Sequence, residues 1–296
     1  MFTYGEPVSF FVTPQTEIMF SRQGEFIFSA SGKKLVSYLE WQTSPLVYAG
    51  LEAGLDTPAG IFRTDADIAI PADCGKMYDS DWNYSGVKTT YSIHQNHAEL
   101  NYKLSAGYSY PFSLKSFKIE PGVSFLYTHD FFHAHDGYGW YGGENYSKNG
   151  VDNSWDSEFA RKAKKLYPID FKRTTYFAFA GIDFSWLPVD SFSLNLGFAV
   201  SAYTNSHTQD CHFGKPGTQN DFILNETQES FFDRFQTHLS VDWQFRKNLS
   251  FFASANWLYG GLVKGLLYDD DVLVTQPSGS TINSLSVKTG IKIFIF

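Results

Sequence analysis

Apolar and polar residues alternate with period two along most of this chain. Phe235, Thr237, Leu239, Val241, Trp243 and Phe245 fall on one face, while Gln236, His238, Ser240, Asp242 and Gln244 fall on the other. This is the pattern of a strand with one apolar and one wetted side. Leu100, Tyr102, Leu104, Ala106, Tyr108 and Tyr110 repeat it, as do Phe192, Leu194, Leu196, Phe198 and Val200. Leu39, Trp41, Thr43, Val47, Ala49 and Leu51 oppose Glu40, Gln42, Ser44, Tyr48 and Glu52, so the polar side includes charges.

Turn signals divide the alternation into ten strands, near 8–28, 35–55, 60–70, 97–110, 117–129, 173–187, 191–204, 230–245, 250–262 and 282–296. Tight turns are expected at Asp56-Thr57-Pro58, Pro111 to Leu114, Pro188-Val189-Asp190 and Arg246-Lys247-Asn248. Between them stand a short Ser29–Lys34 turn and long polar loops near 71–96, 130–170, 205–229 and 263–281. Even strand number, short turns at one end, long loops at the other and an apolar outside describe a single-domain, all-β, ten-stranded antiparallel transmembrane barrel over 1–296. Its inward-facing Glu40, Glu52, Arg63, Asp65, Asp67, Lys103, Asp183, His238 and Asp242 are expected to form a closed polar network rather than a pore.

Composition agrees with a lipid-facing wall. The chain has 18 Tyr, 29 Phe and 7 Trp, and only 18% charged residues, against about 25% in ordinary soluble domains. No apolar run approaches the roughly 20 residues of a membrane helix. The terminal Phe296 suits a barrel of the outer membrane. No basic and apolar leader precedes Pro7, so for an exported protein the numbering starts after a cleaved signal peptide or the start is mis-called. The formal charge of −8 argues against nucleic acid and favours cationic partners.

Two short stretches carry candidate chemistry. Asp79-Ser80-Asp81-Trp82 places two carboxylates on one side of an extended backbone, and Asp210-Cys211-His212 does the same for an acid and an imidazole. The first lies in the loop near 71–96 and the second in the loop near 205–229, roughly opposite on a ten-strand ring. A carboxylate-held imidazole titrates near neutrality and can act as a base, and paired carboxylates can share a proton. The plain alternative is an acidic loop motif facing a solvated one. Continuing the parity of the seventh strand from Ser193 to Ser201 points Asp210 and His212 outward, so a bulge or a loop reversal after Tyr203 is required.

Cys74 and Cys211 are the only cysteines, which excludes a disulfide framework and a four-cysteine metal site. Free thiols are the conservative reading, and a bridge between loops the alternative. His129, Asp130, His133, His135 and Asp136 form a His/Asp-rich stretch without diagnostic ligand spacing; it is read as a loop lip, and no metal is expected.

Gly32 to Trp41, Met77 to Trp82, Glu99 to Tyr102 and Asp210 to His212 resemble, in this order, the omptin family of outer-membrane proteases. The resemblance implies an endopeptidase without covalent intermediate, metal or cofactor, located in the outer membrane with its active site on the extracellular side. It would be a monomer acting on cationic peptides or proteins. Asp79 and Asp81 would be the paired carboxylates, and His212, oriented by Asp210, the base that activates water. Glu25 corresponds to one acid of the family's basic-residue pocket and Met77 to a wall beside the catalytic pair. Thr208 stands where a second pocket acid is usual, which implies a weaker or broader preference for Arg or Lys. The family also grips lipopolysaccharide through outward basic residues; here the corresponding face reads Val123, Phe125, Tyr127, so a requirement for lipopolysaccharide or another outer-membrane lipid is left open. The rival reading is a barrel of the same descent serving as an adhesin or binding protein.

Overall fold

The computed structural model describes residues 8–214 and 222–295; Phe296 and the first seven residues lie outside the described residues. Every regular element among the described residues is a strand. The chain starts with β1 (Ser9–Phe28) and β2 (Leu35–Thr57). A third stave is built from β3 (Gly60–Ala69) and β4 (Ala72–Trp82), and a fourth from β5 (Lys88–Ala98) and β6 (Tyr102–Ser109). After the short β7 (Phe112–Leu114) comes β8 (Phe117–Tyr141), then β9 (Arg161–Leu166) with β10 (Ile169–Val189), and β11 (Phe192–His212). The eighth stave is β12 (Phe222–Ser230) with β13 (Arg234–Arg246), the ninth β14 (Leu249–Asp269), and the tenth the small β15 (Val272–Leu273) with β16 (Ser278–Ile295), both paired to β14. All pairings are antiparallel, and β1 pairs both β2 and β16, which closes ten staves into a ring. Closure leaves no unpaired edge, the condition for a sheet to stand in lipid.

Three of the four tight turns occur where the sequence places them, between β2 and β3, β10 and β11, and β13 and β14; the one expected at Pro111 to Leu114 falls instead at Lys115-Ser116, because residues 112–114 continue the pairing with β8 as β7. Around the ring above them runs an outward apolar band that includes Phe20, Leu104, Phe125, Phe198, Leu239, Trp257 and Leu285, each 43–51% exposed. Beyond the band the outward side chains turn polar, with Lys76, Gln95, His133, Lys172 and Gln209 in place of Phe and Leu.

The staves continue well past this border, which corrects the expected loops. A membrane strand needs about 9–11 residues, whereas β8 has 25 and β2 has 23. Most of 71–96 is β4 and β5, 130–170 contains the end of β8 with β9, and 205–229 contains the end of β11 with β12. Above the lipid the outer face has no reason to be apolar, so alternation fades although pairing continues.

Bulges near the border reverse which residues face inward. In β2, Met19 pairs Leu46 but Ser21 pairs Thr43, leaving one extra residue on β2. Below it Leu46 and Tyr48 point in; above it Leu39, Trp41 and Thr43 do. Glu40 therefore points out of the barrel, contrary to the unbroken alternation read from the sequence, and there accepts from Tyr38 Oη at 2.7 Å and from Gln42 Nε2. In β11 the register shifts between Ser201 and Tyr203, and the inward set changes from Ser201 to Thr204, Ser206, Thr208 and Asp210. This is the re-aiming that the parity argument required.

Inside the lower barrel the polar residues pair one another. Lys288 Nζ lies 2.8 Å from Asp67 and 2.9 Å from Asp65, Lys103 lies 2.5 Å from Glu17, and Lys292 lies 3.0 Å from Asp242. Above this network sits a buried apolar layer that includes Trp41, Met77, Phe132 and Phe171. The Trp41 and Phe171 rings stack with centroids 4.8 Å apart. Such aromatic contacts are worth about 0.5–1.5 kcal/mol beyond the area they bury, and the layer forms a dry floor for what lies above.

Candidate active site

The upper barrel holds a cleft of about 590 Å³. Asp79 and Asp81 on β4 line it from the third stave, and Asp210 and His212 on β11 line it from the seventh. They are strand residues, not loop residues, and antiparallel register explains their aim. Asp79 pairs Leu39 and Ser92, and Asp81 pairs Ser37 and Thr90, so each carboxylate shares an inward row with its neighbours. Asp210 pairs Phe171 of the apolar floor, and His212 pairs Ile169. The structure thus brings all four sequence-predicted catalytic candidates to one cleft.

His212 Nε2 and Asp210 Oδ2 are 2.7 Å apart, and Asp210 is 1% exposed. A carboxylate so buried holds the imidazole in one orientation. Burial alone disfavours the charged ring, but the charge and hydrogen bond of Asp210, then the charges of Asp79 and Asp81, outweigh it and push the His212 pKa up to about 9. This differs from the near-neutral titration expected for an isolated Asp–His pair, because the sequence does not show three carboxylates converging on one imidazole.

A second histidine, missed by the sequence reading, faces the same space. His94 on β5 lines the cleft, pairs Met77, and is 3.1 Å from Ser92 Oγ. Burial, followed by the positive charge of His212 and His135, lowers its pKa to about 4, so it is neutral. Gly137 gives it room, since a Cβ there would stand 2.3 Å from His94 Cε1. The inward parity of Ser92, His94 and Asn96 was the available signal, hidden by reading 71–96 as a loop.

The three residues expected to line the substrate pocket lie beneath the cleft wall. Glu25, Met77 and Thr208 are 2%, 0% and 3% exposed, and Met77 belongs to the apolar floor. Thr208 Oγ1 accepts from Arg173 Nε at 2.9 Å, and Arg173 Nη1 donates to Gln23 Oε1 at 3.2 Å. The Arg173 guanidinium stands in the field of Glu25, Glu226 and Asp130. Burial first, then the charges of Asp210 and Glu226, hold the Glu25 carboxyl well above the usual carboxylate range, with Arg173 opposing them. Arg173 and Glu226 had been overlooked as parts of this group. The cleft itself instead presents Ile27, Leu39, Phe222 and Leu224, with Arg161 and Lys164 on its β9 side.

The cysteines form no disulfide. Cys74 points into the apolar layer, whereas Cys211 shares the outward row of Asp170 and His133, so the two lie on opposite sides of the wall.

The geometry can be set beside known structures. The outer membrane protease OmpT from Escherichia coli superposes with a TM-score of 0.81 at 15% sequence identity, over 97% of each chain. The chain has the OmpT fold. That establishes the ten-stave barrel and leaves its chemistry to its own residues. A Pseudomonas aeruginosa FadL homologue (8% identity, 97% of this chain and 90% of that one) and Neisserial surface protein A (10%, 96% and 98%) reach TM-scores of only 0.28 and 0.25, too low to carry an argument. No protein-family profile and no curated protein matches the sequence. Within the OmpT fold, the long staves and the inverted upper half are what convert a lipid-spanning ring into a cleft with opposed walls.

Proposed function

We propose that this barrel is an endopeptidase that hydrolyses peptide bonds with water as nucleophile. The observation that carries the reading is the meeting of Asp79 and Asp81 with the Asp210–His212 pair in one cleft. His212 takes the proton from water, Asp210 holds the ring, and Asp79 with Asp81 holds a proton near the scissile carbonyl. No metal or cofactor has a part in this mechanism. At neutral pH the free-enzyme imidazole is protonated, so the reactive state requires its deprotonation. A cationic peptide lying against Asp79 and Asp81 would weaken their field at His212 and ease that loss. The formal charge of −8 favours the approach of such peptides. In the cell the cleft would open from the outer membrane to the exterior, with the protein acting as a monomer.

The side chain before the scissile bond is a separate matter. Glu25 is buried with its carboxyl held toward the neutral form, and the cleft presents Ile27, Leu39, Phe222 and Leu224 beside Arg161 and Lys164. The reading is therefore a preference for an uncharged apolar residue there, in place of the Arg or Lys preference expected from Glu25 alone. The outer face at Val123, Phe125 and Tyr127 carries no basic residue, so cleavage without lipopolysaccharide is expected.

A peptide library incubated with the refolded barrel, with and without a lipid A-type amphiphile, tests both statements. Cleavage should disappear in Asp79→Ala and fall about 10²- to 10⁴-fold in His212→Ala, with Leu or Phe favoured over Arg before the cut. Retained activity in both variants would sink the mechanism; a strict Arg preference would sink only the specificity. A binding role has one observation in its favour, the outward stack of Tyr78, Tyr91, Trp140 and Trp155 with Lys88 Nζ 4.0 Å from the Tyr91 ring. Absence of cleavage under every lipid condition would select it.

A further inference from the structure

On the outer wall, just beyond the apolar band, three neighbouring strands bring together residues far apart in sequence. Asp73 comes from β4, His97 from β5 and His135 from β8. Asp73 Oδ1 is 2.7 Å from His97 Nδ1 and 3.4 Å from His135 Nε2, and one ligand atom from each residue lies within 4.8 Å of the others. We propose that Asp73, His97 and His135 bind a divalent transition-metal ion, Zn²⁺ foremost. Ligand atoms held at about 2.0–2.1 Å around a tetrahedral zinc stand roughly 3.4 Å from one another, so small side-chain rotations suffice to close the set.

The surroundings are built as metal sites require. A ligating histidine needs its other ring nitrogen fixed, usually by a carboxylate. His135 Nδ1 is 2.9 Å from Asp136 Oδ2, which leaves Nε2 turned toward Asp73. Asp136 reaches that position through a bulge. Ile93 pairs Tyr138 while Gln95 pairs His135, so β8 carries an extra residue, and Asp136 takes it with φ 51°, a conformation that Asp tolerates better than most residues. His133 stacks on His135 with ring centroids 5.9 Å apart and is itself 2.6 Å from Asp170. Two imidazoles and one carboxylate suit zinc, copper or nickel; calcium and magnesium call for more oxygen ligands. The ion would tie together β4, β5 and β8 at the base of the wall that carries Asp79 and Asp81.

The site stands independently of proteolysis, and metal binding can be read without it. The untagged full-length barrel is refolded, stripped with chelator and titrated with zinc chloride by calorimetry. Saturable binding of one zinc per chain is expected, at least tenfold weaker in His135→Ala and in Asp73→Asn, and about 10- to 100-fold weaker in Asp136→Asn, which removes only the orienting carboxylate. His129→Ala serves as the control, because His129 bonds Thr174 away from the cluster, and should bind zinc as the wild type does. Each variant is first checked for the heat-modifiable migration of a folded barrel. No binding at millimolar zinc, or equal affinity in folded wild type, His135→Ala and Asp73→Asn, would overturn the proposal.

Discussion

The lower lumen and the upper cleft are lined by the same kinds of residue and use them oppositely. In the lumen, carboxylates meet lysines: Lys288 alone lies within 4 Å of Glu17, Asp65 and Asp67. In the cleft, Asp79, Asp81 and Asp210 converge instead on His212, a group that can lose its proton. Charges matched by permanent cations hold a structure together. Charges focused on a titratable one prepare a reaction, and the apolar layer at Trp41, Phe132 and Phe171 keeps the two arrangements apart.

The strongest way to break the lower arrangement is Lys288→Met. It leaves Asp65 without its lysine and Glu17 and Asp67 with Lys103 alone, and removing one partner of a buried pair costs about 3–5 kcal/mol. Urea unfolding of the barrel in lipid should register that loss, while cleavage by the fraction still folded stays unchanged. A fall in turnover matching the fall in stability would mean that the layer does not insulate the cleft.

A smaller effect is expected from Gly137→Ala. The added methyl would meet the His94 ring and force it to shift, and overpacking of this kind costs about 1–3 kcal/mol. Thermal unfolding measures the cost; an unchanged midpoint would show that His94 moves freely.

The pH profile sharpens the comparison at the cleft. With the His212 pKa raised to about 9, the neutral base appears as pH rises through that value, so kcat/KM of the free enzyme should climb about tenfold per unit below it. Asp210→Asn removes the largest charge that raises it and should move the inflection to lower pH. A profile in wild type that is level from pH 6 to 9 would remove His212 as the base.

Much of the barrel was legible because lipid imposes a rule on every strand that crosses it. Faces such as Phe235 to Phe245 must be apolar outside and wet inside, and the four tight turns mark where the crossings end. The rule lapses above the lipid, so β4, β5 and β12 read as loops, and His94 and Glu226 were lost with them. Glu40 was misplaced for a different reason, since a bulge of one residue leaves composition unchanged while reversing every side chain beyond it. The parity of β11 did reveal that the strand must be re-aimed, because Asp210 and His212 could be checked against Ser193 to Ser201, and the structure does so with a bulge between Ser201 and Tyr203.

The sequence by itself determined the closed ten-stave ring, the charged lumen and the identity of the two acid-bearing pairs, because period and residue type are properties of the chain alone. Only the tertiary structure decided that Glu25 is buried among Asp210, Glu226 and Arg173, that Asp73, His97 and His135 converge, and that three carboxylates act on His212. These depend on register between strands distant in sequence, and on fields that sum over space rather than along the backbone.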